Sequence, residues 1–316
     1  MKISKDSTYI IGGVLMSLVG SVLFSTKAIF VKLTYGVYPV DPIALLALRM
    51  LFSLPFFLIS AALSSNRKEN IKFTPKQWVL VAILGLLGYY VSSFLDFVGL
   101  QYVTAGIERL ILFTYPTFVL IISALFLKKP ASRAQWIAII LAYTGLLIAY
   151  GAEVRLQPTT DFYIGCILIL VCALTFAMYI AGSGVLIPSV GALKFNSYAM
   201  SFAGVAVVIH FLLVSDQSLF GLPTIVYVYA VAMAIIGTVL PSYLVSLGIK
   251  RLGSNTTSII ASIGPVSTII QAHYLLNETF SLVQGIGTAL IIAGIILISW
   301  KRAPIEQPVK EVAAVA

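Results

Sequence analysis

The stretch GLQYVTAGIERLILFTYPTF, residues 99–118, lies without a gap over GIKRLGSNTTSIIASIGPVS, residues 248–267. The offset of 149 residues continues beyond these segments. It pairs identical residues, among them Gly99 with Gly248, Pro116 with Pro265, Ser132 with Ser281, Gln135 with Gln284 and Gly145 with Gly294. Self-similarity at a fixed offset indicates a repeated structural unit. The sequence therefore predicts two related halves.

The composition is that of a polytopic membrane protein. Of the 316 residues, 60% are hydrophobic and 10% are charged, whereas roughly 25% are charged in ordinary soluble domains. The mean hydropathy is +1.04, and one soluble core cannot bury that much apolar sequence. The first apolar run has no small-residue cleavage pattern after it, so we interpret it as a retained span.

Polar and Pro/Gly-rich joints divide the chain into ten apolar runs, each close to the roughly 20 residues that a helix needs to cross a bilayer. The predicted spans are residues 10–34, 42–63, 77–101, 104–127, 133–151, 162–186, 195–214, 223–249, 255–276 and 282–300. These runs lack the alternation of barrel strands, and only helices satisfy their own backbone groups in lipid. The predicted fold is an all-α bundle of ten transmembrane helices.

The basic residues concentrate on one side of these spans. That side holds Lys2, Lys5, Arg67, Lys68, Lys72, Lys76, Lys128, Lys129, Arg133, Lys194, Lys250, Arg251, Lys301, Arg302 and Lys310, and the other side has Lys32 and Arg155. By the positive-inside rule, both termini are cytoplasmic (N-in/C-in) in the cell inner or plasma membrane. The net charge of +9 then reflects the orientation of the protein in the membrane and does not predict a nucleic-acid partner.

Five spans per half is an odd number, so two related halves must have opposite orientations in the membrane. We predict a cytoplasmic N-terminus over residues 1–9, a first repeat over 10–151, a second repeat over 162–301 and a cytoplasmic tail over 302–316. Inverted repeats with a site near the bilayer midplane are typical of secondary transporters.

A family resemblance covers almost the whole chain. Its pattern consists of Gly99, Tyr102, Pro116, Gln135 and Trp136, repeated as Gly248, Pro265, Asn277, Glu278 and Gln284. This pattern resembles the paired EamA domains of the drug/metabolite transporter superfamily. The resemblance implies ten helices with both termini inside, a central cavity, alternating access and a small-molecule substrate; relatives move amino acids, other metabolites and drugs. Lys128 and Lys129 stand where such domains often carry Gly-Glu.

Five charged residues fall inside the predicted spans of the first half: Lys27, Arg49, Asp96, Glu108 and Arg109. An unpaired charge facing lipid costs at least about 2.5 kcal/mol near the bilayer centre. We therefore expect these side chains to meet in a wet vestibule on the external side. Three positive charges against two negative ones favour a ligand with a carboxylate or other anionic group, and an acid that takes up a proton could carry a coupling proton.

The same five charges are open to a structural interpretation, as ion pairs that serve packing. Two pairings are compatible with the sequence. Glu108 and Arg109 could neutralise each other, or Glu108 could face Lys27 or Arg49 while Arg109 faces Asp96, because adjacent helix positions point about 100° apart.

Other polar and helix-breaking residues are further candidates for binding or coupling. Tyr89 and Ser93 share a helix face with Asp96, which favours a wet face. Pro116 and Pro265 are candidate kinks, since each leaves backbone carbonyls without helical partners. The remaining candidates are Tyr115, Tyr179, Tyr243, Ser258 and Ser262. Ordinary packing is the alternative for each of them.

The leading functional hypothesis is a secondary active transporter that exports an amino-acid-like or other small amphipathic metabolite. Drug efflux is the alternative, followed by a channel or receptor. The sequence has no H-E-x-x-H, G-x-S-x-G or Walker A motif, so we predict no enzyme activity, no metal and no cofactor. It leaves open whether a proton or an exchanged solute is coupled, and the oligomeric state.

Overall fold

The computed structural model describes residues 5–66, 72–154, 159–275 and 281–300. Several sequence predictions concern residues outside these ranges, namely those on Lys2, Arg67, Lys68, Arg155, Asn277, Glu278, Lys301, Arg302, Lys310 and the tail. The described residues form helices and connecting turns, with no strand among them. The helical, membrane-type fold predicted from the sequence is confirmed at this level.

The helices of the described residues fall into ten successive segments. They are α1 (Lys5–Val37), α2 (Pro42–Ser65), α3 (Pro75–Tyr102), α4a (Ala105–Leu112) with α4b (Tyr115–Phe126), α5 (Arg133–Val154), α6 (Thr160–Val190), α7 (Ala192–Val214), α8 (Thr224–Leu252), α9a (Ser254–Ile260) with α9b (Ile263–Leu275), and α10 (Leu282–Trp300). Within the described ranges, seven of these segments are long and apolar enough to cross a membrane. Segments α5 and α10 include shorter apolar helices, and α9 is divided in two.

Local sequence signals set several helix starts. Pro42 and Pro75 occupy first-turn positions of α2 and α3, where a missing N–H costs nothing. At α5, the Gln135 N–H donates to the Ser132 hydroxyl and the Ser132 N–H donates to the Gln135 side chain. Ser281 and Gln284 make the same pair of bonds at α10. The repeated Ser and Gln residues are therefore capping boxes.

The helix pattern repeats at the offset found in the sequence. Starts that lie 149 residues apart are Pro75 and Thr224, Ala105 and Ser254, and Arg133 and Leu282. Both α3 and α8 contain a π-helical turn, at Leu86–Val91 and Ile235–Val239. The fourth and ninth predicted spans, 104–127 and 255–276, are each interrupted shortly before the candidate kink residues Pro116 and Pro265.

Equivalent helices of the two halves pack against each other in antiparallel fashion. Asp41 bonds to Ser215, Ser60 of α2 to Ser197 of α7, and Ser65 to Tyr198. Asp41 precedes the start of α2 and its partner follows the end of α7, whereas Ser60 and Ser65 near the end of α2 have partners near the start of α7. The two helices therefore run in opposite directions. In α5 and α10, Gly145 lies against Gly287 while Gly294 lies against Ala138, which is again an antiparallel contact.

The contact between α5 and α10 depends on glycine. A Cβ atom on Gly145 would lie 2.4 Å from the Gly287 carbonyl oxygen and 2.8 Å from Ile291 Cγ1. We expect Gly145→Ala to force the helices apart and to lower the free energy of unfolding by about 1–3 kcal/mol. The measurement is the melting temperature of the purified protein in detergent.

Gly36→Ala is the matched control, because a Cβ atom on Gly36 meets nothing within 4 Å. Its melting temperature should stay close to that of the wild type. Equal melting temperatures for Gly145→Ala and Gly36→Ala would contradict the proposed close contact.

Candidate functional site

A cavity of about 90 Å³ lies at the centre of the bundle, bordered by residues of α1, α2, α3, α4, α6, α8 and α9. A water molecule needs roughly 10–15 Å³ of such space, so several waters or a small solute can fit. The sequence predicted a vestibule made by first-half charges. The cavity instead has walls from both halves, because α6, α8 and α9 pack against α1, α3 and α4.

Lys27 and Asp96 form an ion pair across helices α1 and α3. The Lys27 Nζ lies 2.5 Å from the Asp96 Oδ2, and Asp96 is fully buried. Lys27 lines the cavity, whereas its carboxylate partner lies behind the lining. The pair therefore neutralises a buried acid and places its cation at the cavity wall.

Glu108 and Arg109 are adjacent on α4a and pair with each other. Arg109 Nε lies 2.6 Å from Glu108 Oε2, and Glu108 is also fully buried. The sequence left two pairings open, and in the structure Glu108 and Arg109 neutralise each other. The other pairing is wrong, because Lys27 has turned toward Asp96 and the short α4a places both side chains on its buried side.

The two ion pairs meet at their carboxylates. Asp96 and Glu108 interact electrostatically with each other. None of the four carboxylate oxygens makes a hydrogen bond within the described residues. Lys27, Asp96, Glu108 and Arg109 therefore form one continuous ionic network across α1, α3 and α4a.

Arg49 is bound by neutral groups. Its Nη2 donates to the Ser93 hydroxyl at 3.0 Å, and its guanidinium carbon lies 5.1 Å from the centre of the Phe97 ring. Only 2% of Arg49 is exposed. Its Nε is buried and makes no hydrogen bond within the part of the chain that the structure describes.

Aromatic side chains also line the cavity. Phe176 packs edge-on against Tyr115 at 5.2 Å between ring centres and against Phe24 at 6.5 Å. Tyr89 packs against Phe24 at 6.4 Å. The cavity thus combines a cationic wall with an apolar aromatic wall.

The structure brings most of the predicted candidates to this cavity. Those that line it are Lys27, Arg49, Arg109, Tyr89, Ser93, Tyr115, Ser258 and Pro265. Asp96 and Glu108 lie behind it as the partners of Lys27 and Arg109. Tyr179 packs on Tyr89 at 4.9 Å. Pro116, Ser262 and Tyr243 are not among the lining residues, and Tyr243 instead hydrogen-bonds with Ser197 and contacts Phe57.

Both candidate prolines follow a helix interruption. Helix α4a ends at Leu112 and α4b begins at Tyr115, one residue before Pro116; α9a ends at Ile260 and α9b begins at Ile263, two residues before Pro265. A proline cannot donate to the carbonyl four residues earlier and its ring crowds that carbonyl. The carbonyl four residues before Pro265 is that of Ala261, which accepts the Gly264 N–H at 2.9 Å. Ser25 of α1 in addition donates to the Gly264 carbonyl oxygen at 2.9 Å.

Several lining residues were missed in the sequence, and two signals could have found them. Ser17, Ser21 and Ser25 recur every four residues of α1, which places them on one face; Ser21 and Ser25 line the cavity. The second signal is the repeat offset. Lining residues 149 positions apart are Lys27 and Phe176, Arg109 and Ser258, and Tyr115 and Gly264.

Breaking one side of the Lys27–Asp96 pair should cost more than removing both charges. Lys27→Met leaves the buried Asp96 uncompensated, a loss of about 3–5 kcal/mol in buried pairs. We expect the Lys27→Met/Asp96→Asn double variant to recover a large part of that loss. Melting temperature and monodispersity of the purified variants provide the measurement, and a double variant no more stable than Lys27→Met would refute the pairing.

Comparison with known proteins agrees with this architecture. The sequence model of the EamA-like transporter family matches residues 11–151 and 163–300. The uncharacterized transporter YcbK of Bacillus subtilis (strain 168) is 30% identical over 282 residues, covering 87% of this chain and 88% of YcbK. An uncharacterized transporter of Archaeoglobus fulgidus is 26% identical, covering 86% and 94% of the two chains.

A solved crystal structure has a similar fold, with a TM-score of 0.74 and 18% sequence identity over 91% of this chain and 98% of the other. At that identity the likeness concerns the fold alone. The family match extends over both halves of the chain, and the relatives that cover nearly all of it are transporters by description. The protein belongs to the EamA-like transporter family.

Proposed function

We propose that this transporter is a secondary active exporter of a small amphipathic, amino-acid-like metabolite, working by alternating access. The observation that carries the proposal is the cavity itself, whose lining combines the cationic side chains of Lys27, Arg49 and Arg109 with aromatic rings. Such a cavity suits a solute with one polar and one apolar end. Ligand sites between two repeats are a recurring feature of secondary transporters.

Multidrug efflux is the second candidate, and the aromatic wall favours it. Phe24, Phe176 and Tyr115 offer apolar ring surface to lipophilic compounds. The ionic network favours a metabolite, because burying charges costs free energy that a site selecting only by apolar contact would not need to spend.

The same proposal includes the arrangement in the membrane. We infer ten spans in two inverted five-helix repeats, with both termini in the cytoplasm. The antiparallel packing of α2 with α7 and of α5 with α10 supports the inversion. The bias of Lys and Arg toward one side supports the orientation.

Cysteine labelling tests the orientation. Cys166 and Cys172 are unpaired, so both are first replaced by serine. In intact cells, a membrane-impermeant maleimide should label Asp216→Cys, in the loop between α7 and α8, and should not label Lys72→Cys, before α3. The reverse labelling pattern would contradict the N-in orientation.

Transport is tested in proteoliposomes with a panel of amino acids, organic acids and cationic drugs. We expect saturable uptake with counterflow for at least one metabolite. Arg109→Gln should reduce the rate at least tenfold, because it leaves the buried Glu108 without its cation, while the exposed Lys76→Gln should not change it. Absence of any solute flux would overturn the proposal, and non-saturable flux without counterflow would favour a channel.

The coupling mechanism is part of the same experiment. The adjacent carboxylates of Asp96 and Glu108 offer a place for one shared proton. Transport that follows an imposed pH gradient without counter-solute favours proton coupling. Transport that requires solute on the opposite side favours exchange.

A further inference from the structure

The three cations at the cavity wall differ in their partners. Lys27 lies 2.5 Å from Asp96, and Arg109 lies 2.6 Å from Glu108. Arg49 has no carboxylate within ion-pair distance among the described residues. Asp96 is the carboxylate whose field acts on Arg49, but its own contact is with Lys27. With both acids ionised, the wall carries one positive charge in excess, and that charge resides on Arg49.

The neighbours of Arg49 hold the guanidinium in place without neutralising it. Ser93 accepts one hydrogen bond from Nη2 and the Phe97 ring lies 5.1 Å away. A guanidinium has five N–H donors in a planar fork, which matches the two oxygens of a carboxylate. Arg49 lines the cavity, is 2% exposed and has a buried Nε without a hydrogen bond in the described residues.

The lining that Arg49 shares also offers apolar ring surface. Phe24, Phe176 and Tyr115 present ring edges and faces around the same space. A bound anion would thus contact a preorganised cation at one end and aromatic rings at the other. Preorganisation matters here, because the cost of ordering the site is met during folding.

We propose that Arg49 binds the carboxylate of a small organic acid whose apolar part packs against Phe24, Phe176 and Tyr115. This inference rests on the proposed function and narrows its substrate class to amphipathic monoanions. Lys27 and Arg109, each beside its own acid, border the ligand without supplying the excess charge.

Three probes of nearly equal shape test the charge requirement: benzoate, benzamide and benzamidinium, with charges of minus one, zero and plus one. Binding to the purified wild-type protein is measured by isothermal titration and by the shift in melting temperature. We expect benzoate to bind at least tenfold more tightly than either of the others. Equal affinity for all three, or a preference for benzamidinium, would overturn the proposal.

Variants locate the preference at Arg49. Arg49→Gln should abolish the preference for benzoate over benzamide, and Arg49→Lys should retain it in weaker form, because the charge remains and the fork is lost. Lys76→Gln is the matched control, since it removes one exposed cation away from the cavity. A preference for benzoate that survives in folded Arg49→Gln would refute the assignment.

If Arg49→Gln does not fold, binding of the three probes to the wild-type protein and to Arg49→Lys still tests the anion site. The result is also separable from the transport proposal. Saturable flux of neutral or cationic solutes, with no preference for benzoate, would support the transport proposal and contradict the anion site. Tight benzoate binding without flux of any solute would support the anion site and contradict the transport proposal.

Discussion

The pairing of buried charges is the constraint on which the centre of this protein depends. Asp96 and Glu108 are both fully buried, and an isolated carboxylate in an apolar interior is unfavourable by many kcal/mol. Lys27 must therefore approach from α1, and Arg109 must fold back along α4a. Because the two pairs meet, the network fixes how α1, α3 and α4a face one another around the cavity.

The scaffold is symmetric, whereas the chemistry of the cavity is not. Positions 149 residues after Lys27, Asp96, Glu108 and Arg109 hold Phe176, Val245, Thr257 and Ser258, and all four of these second-half residues line the cavity. One half thus supplies ions where the other supplies a ring, a methyl-bearing side chain and hydroxyls. A ligand with distinct ends would bind such a cavity in one orientation.

The sequence predicted the helical fold and the intramembrane charges, but it could not choose among their partners. Hydropathy and the 149-residue offset can be read from the sequence alone, because neither depends on how the helices pack. The choice between Glu108–Arg109 pairing and cross-helix pairing depends on how α4a rotates against α1 and α3. In the same way, the packing of α8 directs Tyr243 toward Ser197 and Phe57, which its position in the sequence could not show. The breaks in α4 and α9 precede prolines that the sequence did identify.

Matching irregularities beside the cavity give both halves the same means of bending. The π turn in α3 contains Gly88, where a Cβ atom would lie 2.3 Å from Tyr179 Cγ, and the π turn in α8 contains Gly237, which lies against Lys27. Each turn lies one helix before an interrupted segment, α4 or α9. In the proposed alternating-access mechanism, the two halves would exchange conformations and thereby open the cavity to opposite sides in turn. Because the charges, Phe24 and Tyr115 all belong to the first half, such an exchange would move the second-half lining, including Phe176, relative to the ionic network. The ligand would then keep its anchor while that part of its surroundings changes.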